Sequence, residues 1–194
     1  MIYLLRHGET EWNLTRRYQG ALDSPLTANG IAQATRMADK LASLLNAAVG
    51  AAAEYRLVSS PLGRAVGTAT IVGAALGLPL QTDARLQELS LGAWDGLTRA
   101  EIEERFPGAL EGANRSDWYF RAPAGESFEA ATDRVRTWFA EAVGQPTIAV
   151  AHGVIGRLLR GVYAGLDREA TLAQKVPQDG FFVLANNTVE FTSA

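Results

Sequence analysis

MIYLLRHGET, Met1 to Thr10, changes character at its sixth residue: Ile2 to Leu5 are apolar, and Arg6, His7 and Gly8 follow at once. Four apolar residues are too few for a helix and suit a buried strand, whose end then delivers Arg6 and His7 to a loop. The arrangement recurs. Thr147 to Ala151, TIAVA, runs straight into His152-Gly153 and then into a helical pattern carrying Ile155, Leu158, Leu159 and Val162. The chain has two histidines, and both stand between an apolar strand and a glycine. A third strand, Tyr55 to Ser59, turns at Pro61-Leu62-Gly63 into a helical run through Val66, Ala69 and Leu76.

Other segments extend this alternation. Past a polar stretch from Glu9 to Pro25, Ile31, Ala34, Ala38, Leu41 and Leu45 fall three and four apart behind Thr27, which predicts an amphipathic helix with a threonine N-cap. Ser127 is placed to cap a helix whose apolar face is Phe128, Ala131, Val135, Trp138, Phe139 and Ala142. FFVLANNTVEF sets Asn186-Asn187 between two β-rich runs, as in a hairpin. Leu80 to Pro123 has weak periodicity, with a short helix expected over Thr98 to Arg105 and stopped by Pro107. Alternating strands and helices predict a three-layer α/β/α sandwich around a mostly parallel sheet, with ligands bound beyond the carboxyl ends of the strands. Residues 1–194 are read as one domain in which residues about 86–125 form a cap over the active site.

Composition narrows the function. With 47% hydrophobic and 20% charged residues, 194 residues suffice for one well-filled core. A net charge of −3 gives no general attraction to nucleic acid or to anionic membranes, and neither is expected as a partner. Without cysteine there is no disulfide, thiolate nucleophile or thiolate metal site. The first residues lack the basic and long apolar regions of a secretory signal, and no apolar run approaches a membrane span of roughly 18 residues, so a soluble, cytoplasmic protein is expected. The sequence contains no G-x-x-x-x-G-K-[ST] loop, G-x-G-x-x-G turn, G-x-S-x-G elbow or H-E-x-x-H pair. A zinc site would need carboxylates to complete it, and no metal or cofactor is expected.

Histidine and arginine remain to carry the chemistry. Arg6 ends a buried strand and must reach solvent or an anion, while Arg64 sits in the first turn of the helix after LVSSP. Two guanidiniums beside two histidines would suit a dianionic oxyanion, since the guanidinium fork matches phosphate oxygens. Helix N-termini after Gly63 and Gly153 would add backbone donors. LLRHGETEWN closely resembles the signature of the histidine phosphatase superfamily, the phosphoglycerate-mutase-like enzymes. Further segments agree in order: YQGALDSPLTANGIAQA (Tyr18 to Ala34), VSSPLGRAVGTA (Val58 to Ala69), LQELSLGAWDG (Leu86 to Gly96), AGES (Ala124 to Ser127) and VAHGVIGR (Val150 to Arg157).

The resemblance implies a phosphoglycerate-mutase-like fold and assigns roles. His7 would be the nucleophile that becomes phosphorylated; Arg6, Arg64 and a protonated His152 would hold the transferring group. Asn13 and the Gly153 amide would donate to phosphate oxygens, Glu88 would be the proton donor and acceptor, and Gln19 and Gly20 would line the entrance. The partner would be a small phosphorylated metabolite, and a homodimer is allowed. Glycolytic mutases of this family carry a tyrosine where Leu91 stands, a lysine near Thr98-Arg99, and an arginine pair where NRSDWYFR (Asn114 to Arg121) has separated arginines. These departures favour the phosphatase branch over a cofactor-dependent mutase; a non-catalytic phosphometabolite-binding module is the other alternative. Trp94, Trp118, Tyr119 and Phe120 are candidates for the substrate wall or for core packing.

Overall fold

The computed structural model describes residues 1–46, 54–114 and 116–194. A six-stranded sheet runs through it: β1 (Ile2–Arg6), β2 (Arg56–Ser59), β3 (Leu80–Thr82), β4 (Thr147–Ala151), β5 (Gly180–Ala185) and β6 (Thr188–Ser193), in the order β3-β2-β4-β1-β5-β6. β3, β2, β4 and β1 are mutually parallel, while β5 and β6 form the antiparallel edge, so the sheet is mostly parallel as expected. Among the described residues there are seven helices: α1 (Glu11–Leu14), α2 (Ala28–Asn46), α3 (Gly63–Leu76), α4 (Arg99–Arg105), α5 (Phe128–Ala142), α6 (Gly153–Ala164) and α7 (Arg168–Ala173).

The middle positions of the central strands, Ile2 to Leu5, Leu57 to Val58 and Ile148 to Ala151, are apolar on both faces because both faces are covered. In β1, Tyr3 and Leu5 join a core with Met37, Ala38 and Leu41 of α2 and Ala65, Ala69 and Val72 of α3. Ile2 and Leu4 point the other way, to a core with Val135 and Trp138 of α5 and Leu158 and Leu159 of α6. The α/β/α sandwich follows from this division. Leu86, Leu89, Trp94, Leu97, Ile102 and Tyr119, from the weakly periodic middle of the chain, complete the second core.

Caps fall where side chains can supply them. Thr27 Oγ1 accepts the Gly30 N–H at 2.9 Å, and Ser127 accepts from Ala130 at 3.1 Å. Thr98 caps α4 in a reciprocal box with Glu101. Asn186 and Asn187, at φ +50° and +62°, make the β5–β6 turn, where asparagine tolerates left-handed backbone. Ile31 departs from expectation, being 49% exposed. The buried stripe of α2 runs instead through Ala34, Met37, Ala38, Leu41 and Leu45, in phase with Gly30, whose backbone abuts Glu9. Ile31 lies in the first turn at the edge of that stripe, about 20° around the helix from Ala38.

Candidate active site

β1 and β4 pair in parallel with Arg6 opposite Ala151, so the residues that follow them emerge side by side. The rings of His7 and His152 lie 5.2 Å apart at the carboxyl edge of the sheet, and both are buried. Gly8 is required there because α2 crosses directly behind it: a Cβ would collide with the Gly30 carbonyl. Its N–H donates to Thr68 Oγ1 of α3 at 3.0 Å.

His7 Nδ1 lies 2.7 Å from the Gly8 carbonyl. A carbonyl can only accept, so Nδ1 carries the proton and Nε2 keeps a free lone pair. Burial, reinforced by the positive charges of Arg6 and Arg64, holds His7 well below the usual histidine pKa of 6.5. The imidazole is therefore neutral and nucleophilic at neutral pH.

Both arginines are fixed by protein carbonyls. Arg6 Nη1 donates to Val176 O at 2.7 Å; burial pushes this guanidinium down to about 10, which leaves it cationic at neutral pH. Arg64, in the first turn of α3, donates to Leu22 O (2.6 Å), Gly20 O (2.9 Å) and Asp23 Oδ1 (3.0 Å). The Nε atoms of Arg6 and Arg64 are buried without an acceptor among the described residues, as is His152 Nδ1. Gly20 reaches Arg64 by adopting φ +51°, and a Cβ there would collide with the Asp95 carboxylate.

Glu88 sits on the N-terminus of α6. Its two oxygens accept from Val154 N–H at 3.1 Å and Ile155 N–H at 3.3 Å, and from its neighbour Leu89 at 2.9 Å. Asn13 belongs to a capping box with Thr10: its Oδ1 accepts the Thr10 N–H at 3.0 Å. Gln178 Nε2 donates to the same oxygen at 3.4 Å and to His7 O at 3.1 Å, so the Asn13 NH₂ is left to face the cleft.

Of the nine residues singled out from the sequence, Arg6, His7, Asn13, Gln19, Gly20, Arg64 and Glu88 line one open cleft of about 160 Å³. His152 and Gly153 lie behind Arg6, against a smaller second cavity. Arg17, Tyr18, Leu89, Leu91, Trp118 and Tyr119 complete the cleft wall. Trp94 is fully buried core instead, and Phe120 packs against Tyr119 and Phe128. Arg115, one of the separated arginines, lies outside the described residues.

One expectation is corrected. The first-turn donors of the helices after Gly63 and Gly153 are engaged by carboxylates: Arg64 N–H by Asp23 (3.2 Å), and Val154 and Ile155 N–H by Glu88. In the free protein burial, then Arg64, His7 and Arg6, hold His152 well below pKa 6.5. With both histidines depressed in the fold, the unfolded chain binds more protons below pH 6.5, so stability is retained above that pH and lost as the pH falls through it. The urea midpoint of the free protein is expected to fall between about pH 7 and 5.5; an unchanged midpoint would contradict this.

Sequence reasoning missed Asp23, Ser60, Gln178 and the arginine-binding carbonyl of Val176. Thr10-x-x-Asn13 was a legible signal for α1; Gln178 had none, since it meets His7 across 171 residues.

A doubly covered α/β sheet gathers two imidazoles, two fixed guanidiniums and a carboxylate at its carboxyl edge. Among the described residues, no group of three or more histidine, aspartate or glutamate side chains stands together as a metal-ligand set. No described helix is long and apolar enough to cross a membrane. The chain belongs to the histidine phosphatase superfamily (branch 1), whose family model matches residues 2–185. It is 36% identical over 174 residues to a Salmonella paratyphi C protein named "Probable phosphoglycerate mutase GpmB", covering 85% of this chain and 75% of that one. The solved structure of a mycobacterial glucosyl-3-phosphoglycerate phosphatase with VO3 matches with a TM-score of 0.78 at 30% identity, over 99% of this chain and 96% of that one. Bacillus stearothermophilus YhfR matches equally well, with a TM-score of 0.78, 30% identity, and 99% and 95% coverage.

Proposed function

We propose that this protein is a metal-independent phosphatase that hydrolyses small phosphate monoesters through a phosphohistidine on His7. The observation that carries the reading is His7 Nε2, left free by the Nδ1 bond to Gly8, beside two arginines whose buried Nε–H groups have no acceptor among the described residues. Buried donors left unpaired cost about 1–3 kcal/mol each, and a phosphoryl group between them would satisfy them. His7 Nε2 attacks phosphorus as the ester P–O bond breaks, and Glu88 gives its proton to the leaving alkoxide. Water then attacks the phosphohistidine, the N–P bond breaks, and Glu88 takes the water's proton. Arg6 and Arg64 balance charge on the equatorial oxygens, with Asn13 donating its free NH₂. Residues 86–125 supply the Leu89, Leu91, Trp118 and Tyr119 surface that meets the alcohol portion.

The phosphatase name of the mycobacterial structure supports this reading. A second reading, phosphoglycerate mutase, has the name of the Salmonella relative behind it. Leu91 weighs against it: it lines the cleft where the resemblance would place a tyrosine in glycolytic mutases. Phosphorus NMR with EDTA present and a panel of phosphate monoesters separates the readings. Free phosphate is the expected product, and vanadate is expected to inhibit. Conversion of 3-phosphoglycerate to 2-phosphoglycerate without free phosphate would make the protein a mutase, and dependence on added magnesium would refute metal independence.

Glu88→Gln keeps one carboxamide oxygen for the α6 amides, replaces the other with an NH₂ that cannot accept, and cannot give a carboxyl proton. It is expected to lower kcat/KM for alkyl phosphates by about 10²- to 10⁴-fold, and for p-nitrophenyl phosphate far less, because nitrophenolate leaves without protonation. Equal losses on both substrates would remove Glu88 from the acid role.

A further inference from the structure

Beyond the phosphoryl cradle the wall of the cleft is mostly aromatic and aliphatic: the Trp118 ring lies 4.5 Å from that of Tyr18 and 5.5 Å from that of Tyr119. Its polar atoms are few. Tyr119 is buried, and its hydroxyl oxygen accepts from Arg157 Nη1 at 3.3 Å, while Arg157 Nε is anchored on the Gln174 carbonyl at 2.7 Å. A guanidinium can only donate, so this bond uses a lone pair of the phenol and leaves its proton free, with no acceptor for it among the described residues. Burial pushes the phenol's pKa up, so it keeps that proton at neutral pH. Gln19 is also buried, and its Oε1 has no donor among the described residues. Arg17 is already matched: its two Nη atoms meet the two carboxylate oxygens of Glu101 at 2.7 and 3.1 Å.

We propose that this wall selects phosphate monoesters of neutral, hydroxyl-bearing alcohols, of the glycerol or sugar type, with Tyr119 donating to a hydroxyl oxygen and Gln19 Oε1 accepting a hydroxyl proton. This selectivity rests on the phosphatase reading and names its substrate class. Hydroxyls suit both atoms, since each can accept from Tyr119 through a lone pair or give its hydrogen to Gln19. A carboxylate would accept from Tyr119 but has no hydrogen for Gln19. It would also share the cleft with the Glu88 carboxylate, and would find Arg6 and Arg64 taken by the phosphoryl group and Arg17 by Glu101. A plain alkyl group would leave the Tyr119 proton and Gln19 Oε1 buried without partners.

Glycerol 3-phosphate, n-propyl phosphate and 3-phosphoglycerate share a three-carbon chain and differ in these groups alone. Phosphate release from each, beside p-nitrophenyl phosphate as a reporter of the chemistry, tests the selectivity. The kcat/KM for glycerol 3-phosphate is expected to exceed that of the other two by about 10- to 100-fold. Tyr119→Phe removes the hydroxyl and keeps the ring; it should lower kcat/KM about tenfold more for glycerol 3-phosphate than for propyl phosphate, whereas a loss of wall packing alone would lower both alike. With p-nitrophenyl phosphate turned over, equal values for the three, a preference for 3-phosphoglycerate, no turnover of glycerol 3-phosphate, or equal losses in Tyr119→Phe would overturn the selectivity and leave the phosphatase reading standing. If neither p-nitrophenyl phosphate nor any of the three releases phosphate, the phosphatase reading fails, and the selectivity falls with it.

Discussion

His7→Ala is expected to abolish turnover, lowering kcat by roughly 10⁴- to 10⁶-fold, as loss of a covalent nucleophile does. No described neighbour can replace it: His152 is locked on Ser60, and Glu88 is spread over three backbone donors. Binding should survive, because Arg6 and Arg64 are positioned by carbonyls of Val176, Gly20 and Leu22 and not by the imidazole. Phosphate affinity measured by calorimetry is therefore expected to stay within about tenfold of the parent, since a neutral ring adds little to anion attraction. The combination separates an enzyme from a binding module. Retained turnover in His7→Ala would place the nucleophile elsewhere; joint loss of turnover and phosphate binding would mean that the anion site is built around the imidazole rather than around the guanidiniums.

Arg64→Ala should be the second most damaging change, costing about 10²- to 10³-fold in kcat. Its guanidinium is almost wholly buried and does two jobs at once. Nε–H is unpaired for the phosphoryl group, while the two Nη atoms hold the 20–23 loop through Gly20, Leu22 and Asp23. Losing those charge-assisted bonds should also lower stability by about 1–3 kcal/mol, visible as a lower urea midpoint. Arg99→Ala is the control. Arg99 pairs with Glu103 on the surface of α4, where each side chain is 54% exposed, and such pairs contribute about 0–1 kcal/mol. Its activity should stay within about twofold of the parent. Equal losses for the two variants would show that the phosphate cradle has been misassigned.

The histidines and arginines were legible because each is anomalous in its local setting. Arg6, His7 and His152 interrupt apolar strands that end beside glycine, and Arg64 stands in the first turn after another strand. Parallel pairing of β1 with β4 turns those local oddities into one site. Glu88 could be found only through the family resemblance, because its partners, Val154 and Ile155, are 66 and 67 residues away. Ser60 lay inside a recognised segment, yet its bond to His152 spans 92 residues and leaves no periodic trace. The same limit applies to the titration of His152: burial next to two arginines, which residue type does not carry, lowers its pKa in the free protein. Ile31 failed for a simpler reason. It stands in the first turn, at the edge of a stripe whose other predicted members, Ala34, Ala38, Leu41 and Leu45, are all buried.

The central claim is a covalent bond from phosphorus to His7, and alkaline-quench mass spectrometry of the enzyme mixed with p-nitrophenyl phosphate in EDTA tests it most directly, since phosphohistidine survives base. One phosphoryl group is expected on the peptide carrying His7, absent from His7→Ala and decaying as free phosphate appears. Steady release of phosphate with no phosphorylated peptide at any quench time, or a phosphoryl group on another residue, would contradict it.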